Sequence, residues 1–380
     1  MVTKGTALRV LHLGITLCFF MAGCGGISRV QSPGPSPESA DSQFQEKDDV
    51  HVNGGAMSES EGAYSYDSEG DALWIYRVMR QSPLNAALSP DDRTLYLLRA
   101  AKPDEDGKVL VMDRASYKVT KAISVGRVPM NLALTSDGKE VYVTNHLSDT
   151  VSVIDTAELR VVKTIPVGHH PIRIAIAPSG QYAYVTNHGS NEVSVVNLST
   201  KQVDRVIPVG RWPCKAAFDP EGRYAFIAQH GGQEVTVIET ATSRVVKRIE
   251  VGKSPMGLAI TPNGQKIFVA DEGSDTVSIV DTASLQVVKT LSVGGGPVEV
   301  RFSPDGKVAY VILARSGDLS VIDAKEERVM TTLPVGRFPG SITLTSDGRF
   351  LYIAHEGQAD VALVDTELGR VVKQYAKVPL

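Results

Sequence analysis

The chain has 380 residues, 42% hydrophobic and 22% charged, with 34 glycines and 20 prolines, a globular profile whose turn-forming content favours many short strands over helices. Its formal net charge of -4 excludes a global electrostatic argument for nucleic acid or for an anionic membrane, because such footprints need a basic excess. Any charge-based function must be local.

In chain order, the first element is a targeting segment. Lys4 and Arg9 supply a positive n-region, and Leu11 to Met21 form an apolar run too short to span a bilayer. The run ends in Met21-Ala22-Gly23-Cys24, which resembles the bacterial lipobox. That resemblance implies a signal peptide over residues 1–23, cleavage before Cys24, and fatty acylation of Cys24, palmitate included. The mature chain is then expected outside the cytoplasm, anchored by lipid to the cell envelope. Gly25 is not the Asp that in many enteric bacteria retains lipoproteins at the inner membrane, so the outer membrane is favoured in a Gram-negative host. With Cys18 removed and Cys24 lipidated, Cys214 is the one cysteine left, and no intrachain disulfide forms.

Residues 24–70 are rich in Ser, Pro, Gly, Asp and Glu, including Ser32-Pro33-Gly34-Pro35-Ser36-Pro37, with too few apolar residues to bury. They read as a disordered acidic linker. Residues 25–70 hold nine acids against two bases, and a flexible coil of that length reaches roughly 35 to 40 Å, enough to hold a domain clear of a lipid surface.

Residues 71–380 repeat themselves. Val-Gly pairs stand at 125, 167, 209, 251, 293 and 335, each 42 residues after the last, and the repeats start at Pro83, Pro129, Pro171, Pro213, Pro255, Pro297 and Pro339. The first repeat is longer by four residues around Pro103-Asp104-Glu105-Asp106, an insertion expected in a loop. Each unit carries four stretches that are apolar at alternate positions, for example Ile172 to Ala177, Tyr182 to Asn187, Glu192 to Asn197 and Val203 to Val209. That period of two predicts strands and excludes the helical repeats that share a length in the forties. Gly138, Gly180, Gly222, Gly264, Gly306 and Gly348 fall where the first hairpin of each unit needs positive φ. The predicted fold is all-β: a seven-bladed β-propeller of four-stranded antiparallel blades behind a disordered tether. Leu73 to Met79 also aligns with a fourth strand, and is expected to close the ring onto the blade begun by Pro339, hiding a sheet edge.

Tyr142-Val143-Thr144-Asn145 and Tyr184-Val185-Thr186-Asn187 resemble the signature of the YVTN β-propeller family. The likeness extends through Asp149-Thr150-Val151-Ser152-Val153-Ile154-Asp155 and the Val-Gly-x-x-Pro turn, and covers Pro83 to about Tyr375. It implies an extracytoplasmic propeller. Related propellers occur in amine dehydrogenases and in the haem d1 domain of nitrite reductases, but the family resemblance assigns no reaction.

Alternating strand direction places the Val-Gly-x-x-Pro turns and the loops after the second strands on one face. His146, His188 and His230 occupy equivalent positions there, His355 stands one position earlier in the last blade, and His169 and His170 lie in a turn; the turns also carry Arg127, Arg211, Trp212, Lys253, Arg337 and Phe338. Histidine is the commonest metal ligand. Equivalent loop positions at a radius of about 10 Å lie roughly 9 Å apart, however, against about 3.5 Å between nitrogens sharing one metal. The three-histidine set therefore reads as a repeated hydrogen-bonding loop residue, and the candidate metal cluster is His146, His169, His170 and His188. Cys214 reads as a buried small residue.

Departures from the repeat are the better guide to function. The fourth residue after each starting proline is Ala in five blades, then Arg301, then Thr343; two residues after the proline stand Asn85, Asn131, Arg173, Lys215, Gly257, Glu299 and Ser341. Arg173, Lys215 and Arg301, with the turn bases, are expected to form an anion-attracting mouth, partly balanced by Asp271, Glu272, Glu299 and Glu356. The plainer alternative pairs Arg301 with Glu299 on a solvated surface. No C-x-x-C-H, H-E-x-x-H, G-x-S-x-G or phosphate loop is present, so neither a catalytic residue nor a cofactor is predicted. Two functions compete. One is a lipid-anchored binding or scaffold protein that holds a protein, glycan or anionic small molecule on the histidine face. The other is a metal- or redox-cofactor-dependent enzyme or electron-transfer accessory, as the related propellers imply.

Overall fold

The computed structural model describes residues 83–99, 101, 104–355 and 360–376. The expected signal, lipidation site, linker and Leu73–Met79 strand lie outside the described residues. Within them, every predicted strand stretch forms, and four consecutive strands make each of seven antiparallel sheets. The innermost strands are β1 (Pro83–Leu88), β5 (Pro129–Leu134), β9 (Pro171–Ile176), β13 (Pro213–Phe218), β17 (Pro255–Ile260), β21 (Pro297–Phe302) and β25 (Pro339–Leu344). They pack in sequence around an axis, and β25 meets β1.

The apolar alternation is consumed between blades. One cluster joins Leu98 and Val109 of the first blade to Val141, Val143 and Ile154 of the second, and similar clusters recur around the ring. Tyr142 and Phe226 are fully buried, each such side chain contributing roughly 1.5 to 3 kcal/mol. The first-hairpin glycines take the expected left-handed conformation, as at Gly138 (φ 72°) and Gly180 (φ 67°).

The YVTN residues are structural in the described blades. Tyr142 donates its hydroxyl to Glu140 (2.8 Å). Thr144 donates to the Ile172 carbonyl of the next blade (2.9 Å), and Thr186 to the Cys214 carbonyl (2.6 Å). Asn145 accepts from the Gly126 amide and donates to Ser152. The motif thus stitches the second blade to the third and the third to the fourth, and in the second it pins the turn that precedes it.

The outer place in the last blade is filled by Arg370–Ala376, hydrogen-bonded to Asp360–Asp365, while Leu73–Met79 lies outside the described residues. Among the described residues, side chains join the first and last blades: Thr343 donates to the Ala86 carbonyl (2.7 Å), Ser346 to Asp92 (2.6 Å) and Arg114 to Tyr352 (3.1 Å). One expectation changes: the first-blade insertion is not all loop, because Asp106 begins an eight-residue strand, Asp106–Asp113. Among the described residues no helix is long and apolar enough to cross a membrane.

Candidate functional sites

The inner strands enclose a cavity of about 590 Å³ lined by residues of β1, β5, β9, β13, β21 and β25, which places it on the propeller axis. Each inner strand runs from its starting proline toward the Asp-Gly turns. The cavity lining continues to Ser89, Pro90, Asp92 and Ser346, so it lies toward the turn face opposite the histidine loops.

Arg173, Lys215 and Arg301 all line it. Their common partner is Glu299, only 1% exposed. Lys215 Nζ donates to Glu299 Oε1, Arg173 Nη1 lies 3.3 Å from Oε2, and Arg301 Nε lies 3.5 Å from Oε1. Gly257, the inner residue of the intervening blade, makes room for this: a Cβ there would sit 2.4 Å from the Val298 carbonyl oxygen. Burial by itself would raise the Glu299 carboxyl, but Lys215, Arg173 and Arg301 outweigh it and hold the group ionised well below the usual range. Burial, with Arg301 and Arg173 nearby, pulls the Lys215 ammonium down against the attraction of Glu299. The expected pairing of Arg301 with Glu299 is present, yet the Arg301 side chain stays 51% exposed. Three cations meet one carboxylate here; the other lining acid, Asp92, is engaged at the rim by Ser346 and Arg114.

The structure divides the expected mouth in two. Arg127, Arg211, Lys253 and Arg337 are exposed on the histidine-bearing turns, away from the cavity. Arg211 stacks its guanidinium on Trp212 at 4.9 Å, and Arg127 donates to the Leu147 carbonyl at 2.7 Å. These contacts hold Arg211 and Arg127 against neighbouring loop residues.

On that face the histidines are mostly buried. His146, His188 and His230 are 1%, 1% and 4% exposed. His146 stacks on His170 with centroids 4.6 Å apart, and Trp212 lies against both His188 (5.7 Å) and His230 (6.5 Å). Burial, with His170 adjacent, lowers His146 to about 3. Burial and the neighbouring histidines push His188 well below its ordinary value. Both are neutral at physiological pH.

The candidate metal cluster does not assemble as expected. His169 is exposed and pairs its Nδ1 with Asp149 at 2.8 Å, which raises its pKa. Instead His188, Cys214 and His230 bring one ligating atom each to within 4.8 Å of one another. The 9 Å spacing of equivalent backbone positions misjudged this pair, because both side chains approach a cysteine, the second residue of the strand between them. His355, expected to belong with the face, turns inward, its Nε2 lying 3.0 Å from the Val335 carbonyl. Cys214 itself is buried, which pushes its thiol up to about 12 and makes it a poor nucleophile.

Two family models match, each over slightly less than half of the chain: a seven-bladed β-propeller lactonase family over residues 199–374, and the cytochrome D1 haem domain over residues 84–261. No curated protein sequence matches. Among solved structures, a hydrazine synthase chain from Kuenenia stuttgartiensis is 25% identical, covering 75% of this chain and 96% of its own, with a TM-score of 0.68. The dihydro-haem d1 dehydrogenase NirN, solved in complex with DHE, is 19% identical over 77% of this chain and 66% of its own (TM-score 0.58). A protein of unknown function from Desulfotomaculum acetoxidans is 17% identical over 70% and 91% (TM-score 0.63). These likenesses support a β-propeller family.

Haem, which the second family model brings to mind, does not fit the residues present. Among the described residues, no histidine, cysteine, methionine or tyrosine lines the axial cavity, so none of the groups that normally ligate haem iron stands there among them. At the histidine face, Trp212 lies against His188 and His230, where a porphyrin plane would need an open slot.

Proposed function

We propose that this chain is a ligand-binding propeller, held outside the cytoplasm by lipid on Cys24, that takes a small anionic molecule into its axial cavity from the Asp-Gly turn face. The observation that carries this reading is the convergence of Arg173, Lys215 and Arg301 on the single buried carboxylate of Glu299 beside a cavity of about 590 Å³. Small-molecule sites run from roughly 300 to 1,000 Å³. Glu299 preorganises Arg173 and Lys215 by fixing their heads, which removes the ordering cost at the moment of binding. Arg301 is the half-exposed arm. Its guanidinium presents a planar fork suited to a carboxylate or phosphate, and five blades carry Ala at its position, so the fold does not require it.

Isothermal titration against inorganic phosphate and citrate tests the reading. Arg301→Ala is expected to weaken binding by ~1–3 kcal/mol, since it deletes a charge-assisted partner in a partly desolvated site. Arg211→Ala, on the opposite face, is expected to leave the affinity unchanged. Equal affinity of wild type and Arg301→Ala, or an equal loss in Arg211→Ala, would refute the proposed site.

A further inference from the structure

Cys214, His188 and His230 form, among the described residues, the one group of three ligating side chains close enough to share an ion. All three are buried. They come from separate elements: His188 follows Tyr182–Asn187, His230 follows Tyr224–Gln229, and Cys214 is the second residue of β13. Lys215, the next residue, lines the axial cavity while Cys214 does not, so the cluster belongs to the other side of the strand and is independent of the anion site.

Three observations separate this cluster from ordinary core packing. The position after the starting proline is Leu84, Met130, Ile172, Met256, Val298 or Gly340 in the other blades, so the thiol is introduced where the fold accepts a hydrocarbon. His188 Nδ1 is buried without a hydrogen-bond partner, which in a native interior calls for an explanation. Glu272 occupies in the next blade the position that His146, His188 and His230 occupy in theirs. It is 5% exposed and its Oε2 lies 3.1 Å from His230 Nε2. A carboxylate on one ring nitrogen leaves the other to ligate, the outer-shell arrangement that orients a metal-ligating ring and raises its basicity.

We infer that His188, Cys214 and His230 form a binding site for one soft-to-borderline transition-metal ion, zinc or copper, with Glu272 positioning His230. Two imidazoles and a thiolate suit these ions and not magnesium or calcium, which take oxygen ligands. Binding replaces the S–H bond of Cys214 with a metal–sulfur bond and releases the thiol proton to solvent. Trp212, stacked against both rings, covers the site on the loop side.

The full chain, stripped with chelator, is titrated with Co(II) and then Zn(II). The expected result is one Co(II) per chain with a thiolate-to-cobalt charge-transfer absorption, which one equivalent of Zn(II) abolishes. Cys214→Ser and His188→Gln are expected to lose that absorption while keeping the wild-type circular dichroism. Glu272→Gln is expected to keep it but to bind roughly 10- to 100-fold more weakly, and His146→Gln to bind as wild type. Absence of the charge-transfer band in the wild-type chain overturns the inference. So does its survival in Cys214→Ser, which would assign the thiolate to Cys18 or Cys24. If Cys214→Ser does not fold, His188→Gln and Glu272→Gln decide: full affinity in both overturns the site.

Discussion

Asp271→Asn is expected to stabilise the propeller at neutral pH and to do nothing of the kind in acid. Asp271 ends the second strand of the fifth blade, where Asn145 and Asn187 stand in the second and third. Asn145 accepts an amide from the preceding turn and donates to Ser152, and Asn187 donates to Ser194. An aspartate has no amide to give. Ser278 and Thr276 donate to Asp271 Oδ2, while Oδ1 is buried without a partner. Burial raises the carboxyl from 3.8 to about 6, against the lowering effect of those hydroxyls and of the Gly252 amide. Below 3.8 both folded and unfolded chains carry the proton and the residue costs nothing. Between 3.8 and 6 the unfolded chain ionises first, so stability falls as pH rises, and above 6 the whole cost is present. At 1.36 kcal/mol per pH unit that cost reaches ~3 kcal/mol as an upper bound. The asparagine has no such dependence. Urea denaturation of both chains at pH 4, 5, 6 and 8 measures the difference, which is expected to grow from near zero to a plateau above pH 6. A gain of equal size at every pH, or a loss at pH 8, would show that the buried charge is not the cause.

Glu299→Gln leaves the buried Lys215 and the partly buried Arg173 without their counter-charge, and is expected to cost about 3–5 kcal/mol. Because burial depresses the Lys215 ammonium, protonation of the folded state becomes costlier as pH falls, so the loss measured by urea denaturation is expected to be smaller at pH 9 than at pH 6. Thr186→Val conserves shape but strips the Cys214 carbonyl of its donor, at an expected cost of ~1–3 kcal/mol; Thr200→Val, on an exposed turn, is the comparison and is expected to fall within error. Cys24→Ala is expected to accumulate unprocessed precursor and to lose radiolabelled fatty acid in the host, and unchanged labelling would refute the anchor.

The propeller was legible because its determinants are local and copied seven times. Alternating apolar residues, a proline at each inner strand and, in six blades, a glycine at the first hairpin, where the first blade has Asp92 at φ 57°, need only a few neighbours to act, and a period of 42 residues from the second blade on shows that they act alike. Arg301 was also visible, since a residue that breaks a repeat announces itself without any coordinates. Which way the charges face was not. Arg173 and Lys215 reach Glu299 across the ring, a contact between blades far apart in the chain, and only that geometry separates them from the turn bases with which composition grouped them. The same reason hid the histidine and cysteine cluster. Backbone positions on a ring set an average spacing, whereas long side chains lean by several ångströms according to what they pack against, and Trp212 and Glu272 decide where His188 and His230 point. Strand, turn and period are written in neighbouring residues; the meeting of side chains from different blades exists only once the ring has closed.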